Sequence, residues 1–592
     1  MRPILYGVSD FAELRRSNGW YIDRTARIRD LESTRFAMFL RPRRFGKSLL
    51  ISTLQAYYDI NYEQRFEQLF SGTDIGSNPT PEHNKYLILY FNFSAVDKAI
   101  SRVEASFDAY ASTLIDAFTH TYEHILPERT VNSIQNAEGC VAKMNTLFAE
   151  LKGTKHDVYV LIDEYDNFTN TILSEHGEKA YNDLCHGDGF FKQFFNVLKA
   201  TSTSADAPVK RIFITGVSPV TMDDVTSGFN IAMNISLQST FADWLGFTHE
   251  DLRQMAEYYA PYTGQTAEQI CKIAMEWYDN YRFSVGNVPS MANTTLILSF
   301  VKHLLDEHRL PSNMLDANLR TDYVKIRHLV TIGNRLNGNF HKFEEILNAK
   351  QIEGVELKDS FQATAITKPD NFLSLLFYFG ILTIAGEDMG TITLAIPNRL
   401  ISAMAADFIP AAYEDIFKLD PRVDAILKGM LQFNKNGTIE GFLSPVCDFV
   451  KQIFAVRDAK EGEIAVQSAV LALLTCARGP YIVMHEREAN GGYYDIGLAP
   501  QLSLWPEMAN AAIIELKYIK AGEAAPTPEK LEAMRQEASA QLDCYAKDQN
   551  LAQEWRLKPG NGTPGIEGGT VTLHRIVLAF HGGNCVLCEK LP

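Results

Sequence analysis

Long apolar runs are missing from this chain of 592 residues; the longest, such as Ala469 to Leu474, fall far short of the roughly 20 residues that cross a bilayer. The first residues, Met1-Arg-Pro-Ile-Leu5, carry neither an extended apolar region nor a small-residue cleavage site. The expectation is therefore a cytoplasmic protein with no signal peptide and no membrane partner. Cysteine is scarce, eight residues scattered from 140 to 588, which suits a reducing compartment. Only Cys585-Val-Leu-Cys588 has metal-like spacing. No second ligand pair lies nearby, His581 is the one candidate third ligand, and the segment reads as a C-terminal strand. Positive charge is in deficit, 56 Lys and Arg against 72 Asp and Glu, for a net charge of -16. That excludes coating nucleic acid non-specifically but leaves a local groove for DNA or RNA open. Internal repeats and low-complexity tracts are absent.

What is present is the balance of a globular protein, 46% hydrophobic and 22% charged, in a chain too long for one core. Phe36-Ala-Met-Phe-Leu40, Tyr86 to Asn92, Val158-Tyr-Val-Leu-Ile162 and Arg211-Ile-Phe-Ile-Thr215 read as buried strands. Helical spacing fills Ser48 to Tyr58 and Val103 to His124, so a parallel sheet covered on both faces is expected. From about 240 to 370 the pattern is mostly helical and suits a lid. Phe372 to Phe379 continues as a helix before a hairpin, Ile381 to Ile384 and Thr391 to Ala395 around a Gly386 to Gly390 turn. A winged-helix-like element and a plain α+β linker fit that pattern equally. After about 455 come a helix (Glu463 to Thr475), strands at Tyr481 to Met484, Tyr493 to Leu498 and Ala512 to Leu516, a helix (Leu531 to Ala546) and closing strands. The expected fold class is α/β with three domains, residues 1–240, 241–450 and 451–592.

Phe36-Ala-Met-Phe-Leu-Arg-Pro-Arg-Arg-Phe-Gly-Lys-Ser48 runs strand, loop, helix. In such a loop the backbone N–H groups of Arg43, Arg44, Phe45 and Gly46 and the helix N-terminus surround phosphates. Lys47 reaches the β- and γ-phosphates and Ser48 ligates Mg²⁺, which points to ATP. Val158 to Asp166 is an apolar strand ending in acids: Asp163 at the sheet edge to hold Mg²⁺, Glu164 to orient the attacking water. A surface turn before a helix and an acidic strand end would each arise without a ligand; both, on strands in this order, favour the nucleotide site. Thr215 or Ser218, at the end of another strand, is placed to sense the γ-phosphate, a capped strand end being the equal alternative. Arg43 and Arg44 face either phosphate or a partner.

In the C-terminal part, Asp495 follows a Gly491-Gly492 turn and Glu515-Leu-Lys517 ends an apolar strand. Residues i and i+2 share a strand face, so Asp495 and Glu515 are expected to hold one Mg²⁺, with the Leu516 carbonyl as a further oxygen. Lys517 on the same side positions or deprotonates a water, the arrangement of metal-assisted phosphodiester hydrolysis. Taken alone, Glu-x-Lys is also a common salt-bridged strand end.

Gly7-Val-Ser-Asp-Phe11, Tyr21-Ile-Asp-Arg-Thr25, Arg41 to Ser48, Leu161 to Asp166 and Thr215-Gly-Val-Ser218 together resemble the bacterial AAA-ATPase-like family over residues 3 to 240. In that family the loop itself begins with arginine, as Arg41 does here. Trp277-Tyr-Asp-Asn-Tyr-Arg-Phe283 resembles its Y-D-G-Y-R-F motif with Asn280 in place of glycine, and Met291-Ala-Asn-Thr-Thr295 stands where its Y-N-P-W-S segment is usual. Members commonly carry a C-terminal PD-(D/E)XK nuclease-like domain. The order of Glu463, Asp495, Glu515-x-Lys517 and Gln541 resembles that domain, with Glu463 as the acid of its first helix and Gln541 and Tyr545 on its A-x-x-Q helix. Tyr494 precedes Asp495 where proline is usual. The resemblance implies an ATPase coupled to a Mg²⁺-dependent nuclease. A nucleotide-operated switch that binds nucleic acid or protein without cleavage is the alternative, and an inactive ATPase scaffold a third. A homo-oligomer stays open because AAA-type sites often take an arginine from a neighbouring copy.

Overall fold

Apolar strands alternating with amphipathic helices build the first sheet. In the computed structural model these are β1 (Phe36–Leu40), α1 (Lys47–Tyr58), β2 (Tyr86–Asn92), α2 (Val103–Thr121), β3 (Asp157–Asp163), β4 (Val209–Gly216) and β5 (Met233–Asn234). The order is β2-β3-β4-β1-β5 and every pairing is parallel. Parallel strands need both faces covered, which is why β1 and β3 read as near-continuous hydrophobic runs and are buried almost throughout. The structure describes residues 1–185, 189–221, 231–311, 314, 338–349, 351–366, 368–456, 462–477, 479–560 and 562–592. The chain divides into two units, one of Met1–His328 with Gln351–Arg399 and one of Leu329–Lys350 with Leu400–Pro592. The expected boundaries at 240 and 450 fall inside these units.

The rest of the first unit contains α3 (His249–Tyr259), α4 (Ala267–Tyr278), α5 (Thr294–Glu307), β6 (Ile352–Val355), α6 (Pro369–Phe379), β7 (Thr383–Asp388) and β8 (Thr391–Ala395). Thr248 and Thr266 start α3 and α4 with capping boxes. Part of the expected helical stretch, 312–313 and 315–337, lies outside the described residues. The hairpin is tighter than the expected Gly386 to Gly390 turn. Strand β7 continues through Asp388, and Met389 and Gly390, both at positive φ, make a two-residue turn. Two left-handed residues match the twist of the flanking strands, so the turn needs no more. β6 pairs with the far side of β8, giving a three-stranded sheet in the order β6-β8-β7.

The second unit contains α7 (Gly462–Cys476), β9 (Tyr481–Ala489), β10 (Gly492–Pro500), β11 (Asn510–Ile519), α8 (Pro528–Tyr545), β12 (Thr572–His581) and β13 (Asn584–Leu591). Its sheet runs β13-β12-β11-β10-β9, with only the β11–β12 pair parallel. α8 is the crossover that such a parallel pair requires. β9 is longer than the expected 481–484 because its partner β10 pairs with it as far as Ala489.

Arg41, directly after β1, is 1% exposed. Its guanidinium donates to the carbonyls of Leu40, Ser236 and Phe241, each at 2.8 Å. It also lies between the rings of Phe39 and Phe283, 4.3 and 4.2 Å from their centroids. Burial lowers its pKa, and the three carbonyls and two ring faces replace the lost hydration. Arginine here is a structural bolt at the root of the loop. A lysine keeps the charge but not the planar fork. Arg41→Lys is expected to destabilise the first unit by roughly 2–4 kcal/mol, since carbonyls are left unpaired in a buried place. An unchanged urea midpoint would show that the fork is dispensable.

Candidate functional site

The loop 41–46 turns sharply because Arg44 and Gly46 both take positive φ, 69° and 104°. Gly46 precedes α1 in a left-handed conformation that glycine alone adopts without strain. α1 then begins at Lys47, which is 7% exposed and whose Nζ donates to the carbonyls of Arg41 and Pro42 at 2.9 and 3.0 Å. Burial lowers the Lys47 pKa, with Glu164, Asp163 and Asp166 opposing. One residue on, Ser48 Oγ donates to Asp163 Oδ2 at 2.7 Å. The loop of β1 and the acid at the end of β3 therefore meet, although β4 lies between their strands.

Asp163 is fully buried, and burial raises its pKa against the hydrogen bond from Ser48 and the charge of Lys47. Its other oxygen accepts from the N–H of Glu164 at 2.9 Å. Glu164 takes a positive φ of 49°, which turns the chain sharply out of β3; its carboxylate accepts from Asn167 and the residue lines the cleft beside the loop. Asp166 fixes the neighbouring strand end by accepting from the N–H groups of Val217 and Ser218. Ser218 Oγ accepts from Val220 N–H at 3.2 Å. Thr215 differs: it is fully buried and its Oγ has no hydrogen-bond partner. Of the two candidate sensors, Thr215 is the one whose hydroxyl has no hydrogen-bond partner.

A cleft of about 410 Å³ opens from the loop, within the usual range for small-ligand sites. Arg43 to Ser48 and Glu164 form its polar end, and Leu5, Val8, Trp20, Ile22, Trp244 and Leu298 line its apolar walls. Sequence patterning did not mark Trp244 or Leu298 as site residues, since they lie some 200 and 250 positions beyond the loop. Phe45, 1% exposed, packs edge-on against Tyr281 and Phe283 at 5.1 and 5.2 Å. Asn280, just before them, has φ 72°, so asparagine supplies the left-handed residue that glycine gives elsewhere.

In the second unit, the β10–β11 register pairs Ile496 with Ile514, which sets Asp495 opposite Glu515. Asp495 Oδ2 accepts from Leu516 N–H at 2.6 Å. Glu515 is 5% exposed; one oxygen accepts from Lys517 Nζ at 3.3 Å, and Oε2 has no partner. Burial and the neighbouring Asp495 push its pKa up to about 7. Burial likewise raises Asp495, with Glu486 and Glu463 adding to the rise. Lys517 Nζ also donates to Gln541 Oε1 at 2.8 Å and Glu537 Oε1 at 3.0 Å. Burial works against its ammonium, and Glu537 and Glu515 outweigh it, so the pKa rises.

The structure thus brings Asp495, Glu515, Lys517 and Gln541 together, with Glu463 and Tyr545 within electrostatic reach. Glu486 and Glu537 are additions that spacing did not reveal. The first depends on the length of β9, the second on which face α8 presents. A buried carboxylate oxygen without a partner fits a divalent cation. Among the described residues, however, no group of three or more His, Cys, Asp or Glu side chains encloses a metal-sized space. His581 bonds the carbonyl of Glu523, and Cys585 and Cys588 share their surroundings with Cys447.

Thr215 offers a clean separation of chemistry from fold. Thr215→Val removes a buried unpaired hydroxyl at constant shape, so the unfolding midpoint is expected to stay level or rise slightly. ATP turnover, measured by phosphate release, should fall about tenfold or more if the hydroxyl bonds the γ-phosphate. Undiminished turnover would remove Thr215 from the site.

The predicted AAA-ATPase family (AAA-ATPase-like) matches residues 5–226, and the PD-(D/E)XK nuclease superfamily matches residues 461–590. An uncharacterized protein of the vnfD 5′ region of Azotobacter chroococcum mcd 1 is 25% identical over 342 residues, covering 53% of this chain. The match spans 58% of that relative's length. Among solved structures, the Aeropyrum pernix Orc1 protein in complex with DNA is similar at 12% identity and a TM-score of 0.26, over 71% of this chain and 99% of that one. The chain thus joins an AAA-ATPase-like domain at residues 5–226 to a PD-(D/E)XK nuclease superfamily domain at residues 461–590.

Proposed function

We propose that this protein binds and hydrolyses ATP at the loop of residues 41–48 and that its C-terminal domain is a metal-dependent phosphodiesterase acting on DNA or RNA. The observation that carries the first half is the 2.7 Å bond from Ser48 to Asp163 with the Lys47 ammonium beside it. A hydroxyl on a helix N-terminus and a buried carboxylate are the two groups that would hold Mg²⁺ next to a triphosphate. The ion, when bound, neutralises charge on the phosphoryl oxygens. Lys47 exchanges two loop carbonyls for phosphate oxygens, Arg43 to Gly46 surround the phosphates, and Glu164 accepts the proton of the attacking water. The apolar walls of the cleft accommodate the base.

In the second half, Asp495 and Glu515 would hold the divalent cation, which supplies a Lewis acid at the phosphodiester. Lys517, oriented by Gln541 and Glu537, positions the water that attacks phosphorus, and Glu463 adds negative charge at the same place. We propose three functional sections, 1–240 for the nucleotide, 241–450 as lid and winged-helix-like region, and 451–592 for the nuclease-like chemistry. None of the described helices is long and apolar enough to cross a membrane; the sparse cysteines, none of them in a disulfide, support the proposal of a reducing, cytoplasmic setting.

A second reading has its own support. Among the described residues no group of three or more His, Cys, Asp or Glu side chains could hold a metal ion. In this reading the chain is a nucleotide-operated switch whose nuclease-like domain binds nucleic acid or protein without cutting.

Two variants decide the matter. Glu164→Gln is expected to bind ATP and slow phosphate release by roughly a hundredfold or more, the usual worth of a general base. Wild-type turnover in that variant would exclude Glu164 as the base. With Mg²⁺ or Mn²⁺ and mixed nucleic acids, wild type should yield cleavage products and Asp495→Ala none. A stable nucleic-acid complex without products would select the switch, and cleavage persisting in the variant would place the chemistry elsewhere.

A further inference from the structure

In a trans peptide the carbonyl of one residue and the N–H of the next point in opposite directions. Whatever holds a loop's carbonyls therefore also aims its amides. In this loop the holder is the start of α5. Asn293 Nδ2 donates to the Arg43 carbonyl at 3.1 Å. Thr295 donates to the Arg44 carbonyl through Oγ at 3.0 Å and through its own N–H at 3.1 Å. Thr294 Oγ donates to the Phe45 carbonyl at 2.9 Å. Three consecutive residues of one segment bind three consecutive carbonyls of the other, with the last two crossed: Thr294 reaches Phe45 and Thr295 reaches Arg44. The N–H groups of Arg44, Phe45 and Gly46 are thereby turned away from α5, as donors for a bound anion. Arg44, the non-glycine residue forced to positive φ, is the one whose carbonyl receives two bonds.

The clamp is itself anchored. Asn293 Oδ1 accepts from Leu296 N–H and so caps α5. Asn293 N–H bonds the Tyr278 carbonyl at the end of α4, and Ala292 exchanges backbone bonds with Phe247, a wall of the cleft. Loop, cleft wall and two helices of the lid share one short segment. That segment is Met291 to Thr295.

We propose that Asn293, Thr294 and Thr295 are positioning residues of the nucleotide site: they set the loop amides for phosphate, and through them an occupied loop changes the stability of α5. The proposal rests on the nucleotide-binding reading and deepens it. An anion bonded to these N–H groups polarises each peptide and makes its carbonyl a stronger acceptor, so the clamp bonds and the first turn of α5 tighten.

The test uses the full chain, a fluorescent N-methylanthraniloyl ATP with Mg²⁺, and amide hydrogen exchange across 294–307. Thr294→Val with Thr295→Val removes two donors while keeping shape, the Asn293 cap and the Thr295 N–H. Wild type is expected to bind the probe and to show slower exchange in the first turn of α5 when saturated with MgATP. The double valine variant should bind roughly tenfold more weakly, two hydrogen bonds being lost, and show no such slowing at saturation. The double serine variant should recover both. A purely structural role would lower the melting temperature and leave the nucleotide-dependent difference in exchange intact, which would overturn the proposal. So would a valine variant with wild-type affinity or a serine variant that behaves like valine. A wild type that fails to bind the probe would overturn the nucleotide reading itself.

Discussion

One contact organises the first unit: a serine hydroxyl at the start of a helix donating to a carboxylate at the end of a strand two positions away in the sheet. Ser48 and Asp163 meet only because β1, β4 and β3 lie parallel and in register, all three delivering their C-terminal ends to the same edge. The apolar character of these strands supplies the burial that keeps the sheet together, and burial is also what raises the Asp163 pKa and lowers that of Lys47. Two opposite charges with little water around them are poorly compensated by loop carbonyls alone. A polyphosphate with a divalent cation completes both sets of partners at once.

The loop between them is shaped from outside. Arg41 bolts its root to three carbonyls and two aromatic rings, Phe45 is wedged between Tyr281 and Phe283, and the 293–295 segment holds the crest. Gly380 packs so closely on Pro42 that a Cβ there would come within 2.9 Å of its ring. An arginine at the position where phosphate loops usually carry glycine is therefore a change in how the loop is supported. Packing, and not backbone freedom, sets its first half; only Gly46 and Arg44 take left-handed conformations.

Much of this was legible in the chain. Phe36–Leu40 and Tyr86–Asn92 are strands over the residues their hydrophobicity marked, and Lys47, Ser48, Asp163 and Glu164 lie together because a short-range motif and a strand end carry their own context. Glu515-x-Lys517 and Gln541 were readable for the same reason, and their contacts at 2.8 to 3.3 Å bring them together. What escaped was set by long-range packing. Nothing local to Asn293 or Thr295 announces that they bind residues about 250 positions earlier, and Glu486 joins Asp495 only through strand register. Thr215 and Ser218 differ only in the folded chain, where Ser218 Oγ accepts from Val220 N–H and Thr215 Oγ has no partner. The β7–β8 turn was overestimated because Gly386 reads as a breaker, yet it pairs within the ladder against Thr393.

The central claim is that Lys47, Ser48 and Asp163 form one site for a nucleoside triphosphate with magnesium. Isothermal titration calorimetry of the full chain with MgATP tests it most directly. The account predicts saturable heat at one site per chain that disappears in Lys47→Ala. Absence of heat with folded wild type, or binding undiminished in that variant, would contradict it.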